Sequence, residues 1–447
     1  MENKTYSQIN EVVYSHILEN GLQVQVIPKP DFFKTFVYLG VNFGSLTNKF
    51  VPLGEQDMKE VPLGIAHFLE HKLFANADGT DASNLLAELG LEANAYTDYI
   101  QTVYLFNGAK NIGEGIKILL DFVQNPYFTY ENVASEKNII IQELKMYLDI
   151  PSDRLHNGLM NQLFVSYPMK YDIGGTIKEV RKITKEDLEK CYSTFYHPAN
   201  MELVIVGRVD HEHMINTIIE HQKQKVYPKF SPIIREIGFE DNIVGKKYGR
   251  YRMDITLANV AVGVKIPAQQ FARNQVIIEE ILLKIVLAAS IGPSTSYYQK
   301  LLDKELITNH LHYSVYFDNH CGYIKVNADS HDPKQLRRSI INRLLALNNL
   351  VLSEKVFERF KKAVLGSFIK SLNNLDFLAS LIIEYDLKNC DILESISLLE
   401  QLKVTDINTV LKYFQKQAIS SYLIFPNEIA SFKTKDSSLQ QENEPEN

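Results

Sequence analysis

The chain has 447 residues, 45% of them apolar and 23% charged, with 21 Gly and 15 Pro, which excludes disordered, collagen-like and disulfide-scaffold classes. Lys and Arg number 47 against 54 Asp and Glu, and the net charge of −7 gives no general reason to expect nucleic acid or an anionic membrane as partner. Cys191, Cys321 and Cys390 form no C-x-x-C pair, so neither a disulfide framework nor a thiolate zinc site is indicated, and a reducing compartment fits best.

The start, Met1-Glu-Asn-Lys-Thr-Tyr, has no basic region leading into an apolar one. The most apolar later stretch, Ile281 to Ile291, is interrupted by Lys284 and too short to cross about 30 Å of hydrocarbon. The expectation is a cytoplasmic protein with no membrane span.

Val12 to Leu18 and Leu22 to Ile27 are strand-like and flank Glu19-Asn20-Gly21, a strong hairpin signal. Thr35 to Phe43 reads as a third strand, then come a Gly- and Pro-rich loop and a helix over about 65–75. A helix over 83–90 ends at Gly90, and two short strands follow, Glu92 to Thr97 and Gln101 to Phe106. Helices are predicted at about 111–124, 131–149, 153–165 and 185–196; Pro198 then leads into a buried strand from Met201 to Gly207.

The plan then repeats faintly. Ile183 to Tyr192 followed by a strand resembles Val404 to Tyr413 followed by Ser420 to Phe425, 221 residues on, and Glu131-Asn-Val133 matches Glu354-Lys-Val356 at an offset of 223. The predicted fold class is α+β: two homologous halves, each a mainly antiparallel sheet packed against helices. The predicted division is an N-terminal half over 1–222, a linker over 223–247 where Pro228 and Pro232 break the periodicity, a C-terminal half over 248–427, and a disordered polar tail over 428–447.

His67-Phe-Leu-Glu70-His71 carries the sharpest chemical signal, with about 0.02 chance occurrences expected in such a chain. On a helix the two imidazoles lie one turn apart, able to reach one Zn²⁺ at about 2.0 to 2.1 Å, with Glu70 beside them at the spacing of a general base. A catalytic zinc needs a third protein ligand, and Glu143 is the candidate, sharing a helical face with Glu136 and Ile140. Other histidines signal less: His211 and His213 point apart on a helix, and His310 and His312 share one strand face near His320 and Cys321.

Together these residues resemble the insulinase-type zinc peptidases, the inverzincins. The likeness spans most of 10–425 and is strongest in Gly64 to Phe74, Glu92 to Thr97, Leu119 to Pro126 and Glu136 to Glu143. It implies one zinc ion per chain held by His67, His71 and Glu143, with Glu70 as general base and Glu136 as a carboxylate orienting its neighbours. It also implies that a peptide substrate adds as a strand to an exposed edge, Asn94 orienting the scissile peptide and the Ala95 backbone pairing with it. The nearest likeness is to bacterial two-half subunits that pair with a related partner, some of which mature ribosomally made peptides.

In the second half the 223-residue offset carries Glu136 to Arg359 and Glu143 to Gly366, and no second His-x-x-Glu-His occurs. In single-chain relatives an Arg and a Tyr from the half opposite the zinc stabilise the developing oxyanion. Here Leu302 stands where that Arg is expected, and Tyr313 matches the Tyr only with an insertion. The resemblance therefore implies a heterodimer with a related subunit that supplies Arg and Tyr, a homodimer being the other pairing. The resulting reading is a zinc endopeptidase for short or unfolded peptides, serving general turnover or the processing of one precursor peptide. The alternative is a non-hydrolytic peptide-binding or scaffold subunit of a peptidase-like complex.

Overall fold

The computed structural model describes residues 1–427 apart from Ile237, Phe239 and Asn309, so the predicted tail lies outside the described residues. The N-terminal half runs β1 (Glu2–Tyr6), β2 (Glu11–Ile17), β3 (Gln23–Pro28), β4 (Thr35–Val41) and a small ribbon of β5 (Lys49–Phe50) and β6 (Lys59–Glu60). It continues through α1 (Ile65–Leu73), α2 (Ala82–Glu88), β7 (Glu92–Thr97), β8 (Thr102–Gly108), α3 (Ile112–Gln124), α4 (Tyr130–Leu148) and α5 (Pro151–Leu163). A short α6 (Ile177–Val180), α7 (Lys185–Phe195), β9 (Met201–Gly207) and α8 (His211–Gln222) complete it. The C-terminal half contains β10 (Gly249–Met253), β11 (Ala258–Ile266), α9 (Gln275–Ile291), α10 (Ser296–Asp303), β12 (His312–Phe317) and β13 (Gly322–Ser330). It then adds α11 (Pro333–Ala346), α12 (Glu354–Ser371), α13 (Leu375–Leu387) and, after smaller helices, β14 (Ile419–Pro426).

The predicted hairpin is β2–β3, its turn closed by Leu18 N–H to Leu22 O at 2.9 Å with Gly21 at φ 89°. The sheets are mixed and mainly antiparallel. The first has the order β1-β2-β3-β9-β4-β8-β7, the second β10-β14-β11-β13-β12. Its last five strands match the second sheet one for one, including the parallel pairs β3–β9 and β10–β14. The hairpin turns match too: Asp98 Oδ1 accepts the N–H groups of Ile100 and Gln101, and Asp318 Oδ1 those of His320 and Cys321.

The halves interlock through exchanged helices. α5 leaves the first half to pack on β11 and β14, and α13 packs on β4 and β9. Close approach requires missing side chains: a Cβ on Gly40 would lie 2.5 Å from Ile383 Cγ2, and one on Gly263 2.7 Å from Leu163 Cδ1. With helices on both faces, β9 is buried along its whole length; Leu203 and Ile205 enter one core while Val204 and Val206 enter the other.

No helix or named strand lies between α8 and β10 among the described residues. That segment is nevertheless anchored. Glu240 accepts the backbone N–H groups of Val165, Ser166 and Tyr167 at 2.7 to 2.9 Å, and the Lys265 ammonium at 2.6 Å, with both side chains fully buried. No helix among the described residues is long and apolar enough to cross a membrane.

Candidate metal centre

Helix α1 is amphipathic in a way that decides the site. Phe68, Leu69 and Leu73 are buried in the first core, which turns His67, Glu70 and His71 toward α4 and β7. Its N-terminus is seated by glycines: Gly64 sits at φ 86°, and a Cβ there would lie 2.2 Å from the carbonyl oxygen of Gly174. Helix α4 starts at a capping box between Thr129 and Asn132, and buries Val133, Ile140, Ile141 and Leu144. Glu136 and Glu143 flank that apolar stripe, facing α1.

Three donors converge. His71 Nε2 lies 3.3 Å and His67 Nε2 3.7 Å from Glu143 Oε2, and one ligand atom from each of the three residues lies within 4.8 Å of the others. Ligands about 2.1 Å from a tetrahedral zinc are about 3.4 Å apart, so the spacing fits a single ion. Glu143 Oε2 is buried with no hydrogen-bond partner, an orphaned acceptor that a cation would satisfy. No other group of His, Cys, Asp or Glu suited to hold a metal occurs among the described residues, so His310 and His312 gain no further ligand.

The surrounding charges are graded. His71 Nδ1 meets Glu136 Oε1 at 3.2 Å, and Glu136 Oε2 lies 3.6 Å from the buried Lys72 ammonium. Burial alone would lower the His71 pKa, but the Glu136 and Glu143 carboxylates outweigh it and push it up to about 10. His67 goes the other way: burial and then the neighbouring His71 lower it to about 4. His67 Nδ1 faces the Gly174 backbone with no hydrogen-bond partner. Burial raises the Glu70 carboxyl above the ordinary range, against the opposing hydrogen bond from Thr97.

Thr97 is the residue that sequence reading passed over. Its Oγ1 donates to Glu70 Oε2 at 2.6 Å. Strand alternation could have found it, since Ala93, Ala95 and Thr97 share the face of β7 turned toward the first core, where α1 lies. Strand β7 is an edge strand. Asn94 on it is exposed, and its Oδ1 accepts the N–H of Ala95 at 2.9 Å, so the two residues expected to meet a peptide engage each other.

Tyr313 lies elsewhere, as the second residue of β12, where it lines a cavity in the C-terminal half with none of His67, Glu70, His71 or Glu143. Leu302 is 38% exposed near the end of α10. On the open side of α4, Ile139, Met146 and Tyr147 are exposed beside Glu143.

Residues 50–177 match the family model for the insulinase family, peptidase family M16, and residues 182–364 match the model described as the M16 inactive domain. The chain belongs to the insulinase family. A relative from Bacillus subtilis, called an uncharacterized zinc protease, YmfH, is 36% identical over 407 residues, covering 91% of this chain and 95% of its own. Among solved structures, the putative M16-like peptidase from Alicyclobacillus acidocaldarius superposes with a TM-score of 0.89 at 30% identity, covering 93% of this chain and 99% of its own. A protease from Helicobacter pylori shares the fold at a TM-score of 0.78 and 19% identity, covering 93% of this chain and 99% of that one. The insulinase fold thus accounts for both halves, and the Bacillus subtilis relative carries the zinc-protease name.

Proposed function

We propose that this chain is a zinc-dependent endopeptidase acting on short or unfolded peptides. One observation carries the reading: a buried Glu143 oxygen that makes no hydrogen bond and lies within ligand spacing of two imidazoles, with the Glu70 carboxylate on the same helical face as those rings. His67, His71 and Glu143 would hold one zinc ion per chain. Bound there, zinc would supply a Lewis acid for a scissile carbonyl and would lower the pKa of a bound water toward neutral.

The protein's own groups supply the rest. Glu70 takes a proton from the attacking water and returns it to the departing amine, a role suited to a carboxyl whose pKa burial has raised. Thr97 holds that carboxylate in place, and Glu136 fixes the ring of His71 through Nδ1. An extended peptide pairs along the edge of β7, released by rotation of the Asn94 side chain away from the Ala95 N–H.

The partner is part of the proposal. Leu302 offers no charge for an oxyanion and Tyr313 opens into a separate cavity, so we infer that a related subunit supplies an Arg and a Tyr in a heterodimer. A homodimer is the other arrangement, a precursor peptide is the narrower form of the substrate proposed, and a cytoplasmic setting accords with three buried free thiols. The match to an inactive-domain model over 182–364 leaves room for one rival, a peptide-binding subunit that does not hydrolyse.

Incubation of the zinc-loaded chain, alone and with its related subunit, with quenched-fluorescence peptides separates the two. The peptidase reading expects cleavage that chelator removes and zinc restores, and a Glu70→Gln variant that retains zinc but is slower by about 100- to 10,000-fold. Peptide binding without cleavage in both samples would overturn it.

A further inference from the structure

The silent half retains the shape of a site. Between the strands that correspond to β4 and β7, helix α9 takes the place of α1, and its Ile277-x-x-Glu280-Ile281 repeats the spacing of His67-x-x-Glu70-His71 with isoleucine at both histidine positions. On α12, Phe357 corresponds to the buried Val133 of α4, which places Ser367 opposite Glu143. Ile277, Glu280, Ile281 and Ser367 all line one cavity of about 420 Å³, which Leu365, Phe368 and Tyr385 also line. The space given to a metal in one half is an apolar chamber in the other.

Its polar groups define what would fill it. Glu280 is only 4% exposed and already accepts the Tyr385 hydroxyl at 2.5 Å, so it has little need of a ligand. Ser395 also lines the chamber; its hydroxyl is buried and has no hydrogen-bond partner, an unfavourable state that a bound acceptor would relieve. Lys284 is the cation of the lining, its side chain 46% exposed and its ammonium making a single long contact of 3.4 Å with Glu280. A hydroxyl without an acceptor and an ammonium with donors to spare call for an anionic oxygen. The volume is that of a small-molecule pocket.

We propose that this chamber binds an apolar monocarboxylate, its hydrocarbon body between Ile281 and Phe368 and its carboxylate received by one of the two donors of the lining, Lys284 or Ser395. The inference concerns the C-terminal half alone and stands independently of the peptidase reading. A carboxylate of this kind comes either from a fatty acid or from the C-terminal residue of a peptide, and the probes tell these apart.

Calorimetric titration of the full chain with decanoate, N-acetylphenylalanine and decylamine tests it. At least one of the two carboxylates binds, and decylamine binds more weakly; decanoate alone marks the fatty acid as the source, N-acetylphenylalanine alone the peptide terminus. Lys284→Gln or Ser395→Ala, whichever removes the donor in use, weakens the carboxylate by about tenfold, and Ile281→Trp, which fills the chamber, abolishes binding. The two polar variants alter a half-exposed ammonium and one hydroxyl oxygen, so they read out even where the tryptophan variant fails to fold. Neither carboxylate binding at about 10 mM, affinities unchanged in both polar variants, or tighter binding of decylamine would each overturn the proposal.

Discussion

Set side by side, the two halves share scaffold and differ in chemistry. The residues repeated between them are those that backbone geometry demands: Asp98 and Asp318 closing equivalent turns, Gly40 and Gly263 admitting the exchanged helices. The candidate metal donors have no counterpart among the described residues of the second half. Two imidazoles and a carboxylate become two isoleucines and a serine, and the polar cluster is replaced by a cavity. Turn and packing residues hold the fold in both halves, whereas residues that only a ligand would need are free to differ between them.

That contrast can be broken from either side, and the largest effect belongs to the metal donors. Glu143→Gln leaves two imidazoles without a carboxylate, and zinc content measured by plasma emission should fall from one per chain to a small fraction, with α4 still folded by circular dichroism. Next is the seat of α1. Gly64→Ala forces a side chain with positive φ against the Gly174 carbonyl, and should cost about 1 to 3 kcal/mol in denaturant unfolding and lower zinc affinity, because the helix start must shift.

Third, Thr97→Val leaves Glu70 without its hydroxyl donor, where the equivalent position in β12 is the apolar Phe317. A loss of about tenfold in kcat with KM unchanged is expected, with Thr97→Ser restoring it, since the hydrogen bond to a charged group contributes about 1.5 kcal/mol. The last effect, confined to acid pH, concerns the exchanged helix α5. His156 bonds to the Tyr99 hydroxyl at 3.1 Å beside Tyr323, and burial lowers its pKa to about 4. A depressed histidine contributes stability that is complete above about pH 6.5 and lost as pH falls through 4. His156→Gln should flatten this part of the stability profile by on the order of 2 kcal/mol between those values, read by thermal melts across pH.

Local signals account for much that was legible in the sequence. The Asn20-Gly21 hairpin, the helices bearing His67 and Glu143, and the buried strand at Met201 to Gly207 follow from turn chemistry and periodicity, and their observed bounds lie within a few residues. The exchange of α5 and α13 was invisible, because it is decided by which sheet face a helix meets rather than by anything in the helix. The correspondence of Ile277-x-x-Glu280-Ile281 with the histidine motif was hidden by loop length. The first half spends residues 42–64 between strand and helix, the second only 267–274, so a constant offset near 223 passes over it. The same offset placed Gly366 opposite Glu143, whereas the helix starts and buried residues align Ser367; neither carries a carboxylate.

The central claim is that a single zinc ion is bound in the N-terminal half and none in the other. Anomalous diffraction recorded on both sides of the zinc edge tests it most directly. The account predicts one peak about 2.0 to 2.2 Å from ring nitrogens of His67 and His71 and a carboxylate oxygen of Glu143, and no peak between α9 and α12. A zinc-loaded crystal with no peak at those three residues, or with its peak elsewhere, would contradict it.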